Sequence, residues 1–282
     1  MHSIKQIGER FWYSTPIAET DRPVVGMVVG NRKTLMIDAG NSESHASYFL
    51  KELQKRNVPH PTIVTVTHWH WDHIFGLPAL KDTLIISSRE TKEEMRKLQP
   101  LSWSDEAIDD RVREGTEIEF CAVAIKKEYP DERNISIVLP DAVFEKRLEI
   151  DLGGITCILE QVGGSHASDS VVIYVKEEKV LFVGDAIYCR LYAEKWHYKI
   201  DETLQLLDKL EAFDADTYIL SHTGVLSKEE FEQEVRTLRT IAHLTELCNG
   251  EKKEIVNKYQ EQLKRELTAD ELDVIEQFVN GY

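Results

Sequence analysis

The tightest constraint on this chain is one heptapeptide, Thr67-His68-Trp69-His70-Trp71-Asp72-His73. Three histidines and a carboxylate at this spacing serve metal binding and little else. In an extended backbone side chains alternate between faces, so His68 and His70 leave the chain on the same side and can share one ion. Asp72 and His73 follow where the chain must turn, and can face a second ion. The preceding run, Thr62-Ile63-Val64-Thr65-Val66-Thr67, is β-branched throughout and predicts a buried strand that ends at the cluster. The ligands then sit on a strand-end loop with open space beyond. Imidazole with carboxylate suits Zn²⁺ first, with Fe²⁺, Mn²⁺ and Co²⁺ as substitutes, because affinity alone separates these ions poorly. The helical His-Glu-x-x-His pattern of zinc proteases is absent.

A histidine-rich surface loop is the plain alternative, and three further runs argue against it. Ile155 to Val162 leads into Gly163-Gly164-Ser165-His166, Lys179 to Val183 into Gly184-Asp185, and Tyr218-Ile219-Leu220-Ser221 into His222. Each is an apolar, strand-like run that delivers a metal-competent side chain at its C-terminal end. Alone, each would be weak, since a single His or Asp is common in turns.

In this order and with these flanks, the residues resemble the metallo-β-lactamase superfamily of hydrolases. The resemblance covers about residues 10 to 225 and counts Met36-Ile37-Asp38-Ala39-Gly40 as its first motif. It implies an α/β fold, the αββα sandwich, with an insertion between the second and third ligand motifs and a C-terminal helical extension. It also implies a first metal on His68, His70 and His166, and a second on Asp72, His73 and His222, with Asp185 bridging the two. Asp38 matches the family's early aspartate, which supports the ligand loop instead of binding metal. The implied cofactors are two divalent metal ions, zinc before iron or manganese. Between such ions the pKa of a shared solvent molecule falls toward neutrality, which supplies hydroxide for attack on a carbonyl. Asp72 or Asp185 could relay the proton to the leaving atom, and the sequence leaves that choice open.

The 282 residues, 42% hydrophobic, can bury one large core or one core with an appended subdomain. A net charge of −16 argues against an extended nucleic-acid surface. Cys121, Cys157, Cys189 and Cys248 form no CxxC pair and read as ordinary reduced residues. The N-terminal octapeptide lacks the apolar core of a secretory signal, and no stretch approaches the length of a membrane span, so cytoplasmic residence without a membrane partner is expected. The expected partner is a small-molecule substrate, with a homodimer as a further option.

Strands and helices alternate along the chain. Val24 to Val29 and Thr34 to Ile37 read as a hairpin joined at Gly30-Asn31-Arg32-Lys33. Ser42 to Arg56 reads as a helix with Ala46, Phe49, Leu50 and Leu53 on one face, Leu84 to Ile86 as a strand, and Glu90 to Leu98 as a charged helix. The domain is expected over residues 1 to 225. An insertion at about 88 to 145 carries Trp103, Arg111, Arg113, Phe120 and Tyr129, a mix that fits either a cap over a pocket or packing outside the site. Arg111 and Arg113 would matter for a substrate carboxylate. Residues 226 to 282 are expected to be helical, because Ser227-Lys228-Glu229-Glu230 and Thr268-Ala269-Asp270-Glu271 have the form of capping boxes ahead of apolar repeats. Packing on the same chain is the plainer use of those helices.

Substrate class is the least constrained feature. Tyr188, three residues after Asp185, is similar in placement to a tyrosine of the lactonase branch that contacts the substrate carbonyl, although an aromatic past a strand end is more often packing. His166 departs from the lactonase His-Thr-Pro-Gly-His type, and Asp185 stands where the best-known β-lactamases carry Cys. Lactone, ester, thioester and β-lactam therefore stay open, with phosphodiester behind. An iron oxidoreductase on the same fold is the other class, but its His-x-Glu-x-Asp pattern has His70 at the second position here. Trp69, Trp71, Trp196, His197 and Tyr198 could wall an apolar pocket or brace the loop. His2, His45, His60 and His243 have no motif context and read as surface residues.

Overall fold

Period-two alternation along the strands sorts side chains into three apolar layers, seen in a computed structural model that describes residues 3–131 and 133–282. The first sheet runs β1 (Ile4–Ile7), β2 (Phe11–Ser14), β3 (Gly26–Val29), β4 (Thr34–Ile37), β5 (Ile63–Thr65), β6 (Leu84–Ser88) and β7 (Ala142–Phe144) in spatial order. The second runs from β8 (Arg147–Asp151) through β9 (Thr156–Gln161), β10 (Val171–Val175), β11 (Val180–Gly184) and β12 (Thr217–Leu220) to β13 (Gly224–Ser227). Val28, Leu35 and Ile37 of the first sheet meet Ile173, Val175 and Phe182 of the second in the central layer. Their neighbours Met27 and Met36 point the other way, into the outer layer of the first sheet. Val172, Tyr174, Leu181 and Val183 do the same on the second. Both faces of each central strand are thus buried, which is why these runs read as continuously apolar.

Helices cover both outer faces. On the first lie α1 (Glu43–Gln54), α3 (Arg89–Leu98), α4 (Asp105–Glu114) and α5 (Glu119–Glu128), and on the second α6 (Ile200–Glu211), α7 (Lys228–Leu247), α8 (Lys252–Leu263) and α9 (Ala269–Gly281). The result is the expected αββα sandwich. Within the stretch expected as an insertion, α3 and β7 belong to the sandwich, β7 pairing in parallel with β6. Only α4, α5 and the chain up to β7 form the excursion. The expected hairpin is β3–β4, and Ser42 caps α1 by accepting the His45 N–H at 3.0 Å. Both capping boxes are closed, by Ser227 and Glu230 on α7 and by Thr268 and Glu271 on α9.

Strands β4 to β6 are parallel, as are β11 and β12, so their C-terminal ends gather at one end of the sandwich. There the sheets are tied together: Val171 N–H donates to Thr67 O at 2.8 Å, and Val24 N–H to Ser221 O at 2.8 Å. No helix among the described residues is long and apolar enough to cross a membrane.

Candidate metal centre

The strand-end loops bring all seven expected ligands to that end of the sandwich in two clusters, His68, His70 and His166, and Asp72, His73, Asp185 and His222. After β5 the chain bends at Thr67 and again at Trp69, is extended at His70, and then enters the single-turn helix α2 (Trp71–Ile74), which turns Asp72 and His73 toward the second cluster. Six of the seven are buried, and His222 is partly exposed.

Hydrogen bonds fix which ring nitrogen each histidine offers. His73 Nδ1 donates to Asp38 Oδ2 at 2.7 Å, His68 Nδ1 faces Thr67 Oγ1 at 3.1 Å, and His166 Nδ1 donates to Cys189 O at 3.1 Å. His222 Nδ1 faces Asp21 Oδ1 at 3.2 Å. In all four, Nε2 is left for a ligand. His70 is the exception, with Nδ1 3.0 Å from His166 Nε2. Two nitrogens on one tetrahedral zinc, each at about 2.0–2.1 Å, stand roughly 3.3 Å apart, so this pair already has near-ligand spacing. Asp38 holds the loop by accepting from Thr67 N at 2.7 Å and Thr67 Oγ1 at 2.8 Å.

Buried His68 Nε2 and Asp185 Oδ1 have no hydrogen-bond partner, while His73 Nε2 and Asp72 Oδ2 face each other at 3.0 Å and Asp72 Oδ2 also faces His222 Nε2 at 3.3 Å. Buried polar atoms are rarely left without a partner, and these four, facing one space, fit a donor set for cations. Charge points the same way. Burial, then neighbouring histidine charge, lowers the proton affinity of His68 and His70, and burial also lowers that of His166, which leaves neutral imidazoles. In the second cluster burial opposes charge but loses. Asp72 and Asp185 keep their ionised forms beside His73 and His222, whose proton affinities rise in turn. Protein groups alone thus hold protons there in place of positive charge, and a bound cation would release them.

A cavity of about 440 Å³ opens on the clusters, and His70, Asp72, His166, Asp185 and His222 contribute to its lining. The rest is largely apolar or aromatic, including Trp71, Phe120, Leu191, Tyr192, Trp196 and Tyr198. Tyr188 lines it too, its ring 6.2 Å from His166 and 6.1 Å from His222 and its hydroxyl 3.3 Å from Thr223 Oγ1. Of the two loop tryptophans, Trp71 reaches this cavity, whereas Trp69 packs on His70 and Tyr192. Phe120, on α5, lines the cavity and is half exposed. Trp103 and Tyr129 do not line the cavity: Trp103 is buried under Arg111, whose guanidinium lies 4.8 Å from its ring, and Tyr129 donates to Asn41 O. Arg113 pairs on the surface with Asp110. Neither arginine lines the cavity, and nor does His197.

His45 is a correction: it was expected on the surface and is fully buried, because it lies one turn before Phe49 on the inward face of α1. His60 and His243 are exposed, and His2 lies outside the described residues. Two acidic residues escaped the sequence reading. Asp21, at φ 54°, lines the cavity and faces His222; burial and the charges of Asp72 and Asp185 push it up to about 7. Asp169 accepts the Trp69 N–H at 3.0 Å, between two ligands. A carboxylate three residues after His166 was the available signal for Asp169; Asp21 had none.

A family model described as the metallo-beta-lactamase superfamily matches residues 20–222. The chain is 24% identical over 188 residues to the acyl-coenzyme A thioesterase MBLAC2 of Gallus gallus, a match that covers 63% of this chain and spans 62% of the length of that relative. Among solved structures it is similar to a metallo-beta-lactamase from Pontibacter korlensis, with TM-score 0.58, 17% identity, and coverage of 84% of this chain and 98% of that one. It is also similar to the stereoselective inverting sec-alkylsulfatase Pisa1 from Pseudomonas sp., with TM-score 0.66, 14% identity, and coverage of 91% and 45%.

Proposed function

The chain belongs to the metallo-β-lactamase superfamily, and we propose that within it the protein is a binuclear metallo-hydrolase that cleaves thioesters and esters of apolar acyl groups. The observation that carries this reading is the shared lining of one cavity, in which ligand-competent histidines and aspartates meet an aromatic wall. Such a wall suits an acyl chain or ring. The curated relative's name, an acyl-coenzyme A thioesterase, supports the same class.

Divalent ions on His68, His70 and His166, and on Asp72, His73, Asp185 and His222, would supply an acidified water and an electrophile for the carbonyl oxygen. The chain's own groups do the rest. Asp38, Thr67, Asp21 and the Cys189 carbonyl hold the ligand rings in one tautomer and orientation. Asp72 or Asp185, both of which line the cavity, would take the proton of the attacking water and return it to the leaving sulfur or oxygen. Tyr188 donates its hydroxyl to the carbonyl oxygen as negative charge develops there. The aromatic wall excludes bulk water and holds the acyl group.

The test is a hydrolysis screen of zinc-reconstituted protein across acyl thioesters, acyl esters, lactones, β-lactams and phosphodiesters. Thioesters and esters with apolar acyl groups should show the highest kcat/KM. For them Tyr188→Phe should cost about 1.5 to 4 kcal/mol of transition-state stabilisation with metal content unchanged. Turnover of phosphodiesters alone, or of no acyl substrate, would overturn the reading.

A further inference from the structure

Residues 190 to 199 form a strap between β11 and α6, and this strap carries Leu191, Tyr192, Trp196 and Tyr198 of the cavity wall. Its own regular pairing is slight, a single bridge between Arg190 and His197. A strap so poorly paired needs an outside hold, and α9 provides one. Tyr198 N–H donates to Gln277 O at 3.1 Å, Asn280 Nδ2 to Trp196 O at 3.2 Å, and Lys199 Nζ to Gly281 O at 3.0 Å. The Tyr198 ring stacks on Phe278 with centroids 4.8 Å apart. Gly281 lets the backbones meet, since a Cβ there would run into the Tyr198 carbonyl. Gln277 itself lines the cavity.

We propose that α9 sets which acyl groups the site accepts, by pinning the strap that walls the cavity and by setting the amide of Gln277 into that wall. This rests on the acyl-hydrolase reading for its substrate and on the strap contacts for its mechanism. The ligands come from other elements, so loosening α9 changes the fit of the acyl group and spares the metal centre. Gln277 is partly buried, and a polar amide beside an alkyl chain loses part of its hydration without gaining a partner, so it also limits how much apolar surface the wall offers.

The experiment compares acetyl and octanoyl thioesters on zinc-reconstituted full-length protein. In Asn280→Ala, which only deletes the side-chain bond to Trp196 O, kcat/KM for the octanoyl substrate should fall about tenfold while the acetyl substrate stays within about twofold. Gly281→Ala should do the same more strongly. Gln277→Leu should move the other way, raising octanoyl over acetyl preference by about three- to tenfold. Equal changes for both substrates, or none, overturn the proposal. Amide hydrogen exchange supplies a readout independent of turnover: it should quicken over residues 190 to 199 in Asn280→Ala and Gly281→Ala, and unchanged exchange there overturns the proposal. Wild-type protein that cleaves neither thioester sinks the acyl-hydrolase reading instead, and the exchange comparison still judges the clamp.

Discussion

Asp38 sits at φ 59°, a backbone region that costs a non-glycine residue energy, and it is held there by bonds from Thr67 N, Thr67 Oγ1 and His73 Nδ1. Strain at this residue is the local cost of a preset ligand loop. Asp169 is the second anchor, and it makes a pH-dependent prediction. It is fully buried, and burial pushes its carboxyl up to about 7. The folded chain therefore keeps a proton that the unfolded chain has already lost, so stability falls as pH rises from about 4 to about 7 and then levels. Asp169→Asn removes that dependence and still offers an oxygen to Trp69 N–H. Relative to wild type, its Tm should improve by a few degrees between pH 5 and pH 8, since the wild type loses about 2 kcal/mol over that span. A difference that stays constant with pH would contradict the argument. The seven candidate ligands were legible because each follows an apolar run whose end can be read. Asp21 was not, since what it faces is decided by a residue 201 positions on, 222 − 21. His45 was legible in principle, being in phase with Phe49, but lack of motif context hid it.

At the scale of elements, the clearest signals were those with local causes. The run from Thr62 is β-branched and becomes β5, and the two capping boxes start α7 and α9 where their residues require. The helix α8 lies within the stretch expected to be helical but has no start signal of its own, because it buries only Ile255 and Tyr259 and its remaining positions are largely polar. Its place is decided by the helices beside it. The α7 box carries a direct test. Ser227 accepts from Glu230 N while Glu230 returns a bond to Ser227 N at 2.7 Å, and Phe231 then stacks on Tyr218 at 3.8 Å. Ser227→Ala should cost about 1 kcal/mol and lower Tm by roughly 2 to 4 °C, with bound metal unchanged. An unchanged Tm in thermal unfolding would contradict this use of the cap.

At the scale of the whole molecule, the candidate centre belongs to neither sheet. His68, His70, Asp72 and His73 follow β5 of the first, while His166, Asp185 and His222 follow β9, β11 and β12 of the second. Ions bound there would join the two halves at the end where Val171 and Val24 already tie them. The sandwich itself was legible from motif order, but the cavity wall only in part: Trp71, Phe120, Trp196 and Tyr198 were among the candidates, whereas Leu191 and Gln277 were not. The wall is assembled from α5, the 190 to 199 strap and α9, which lie far apart in sequence and carry no shared pattern. In the proposed mechanism both clusters bind metal and hydrolysis needs both. The most direct measurement adds zinc stepwise to chelator-stripped protein and follows bound metal and octanoyl thioester turnover in the same samples. Turnover should rise to a plateau at two ions per chain, with protons released as the second cluster fills. A plateau at one ion per chain, or turnover that does not depend on bound metal, would contradict the account.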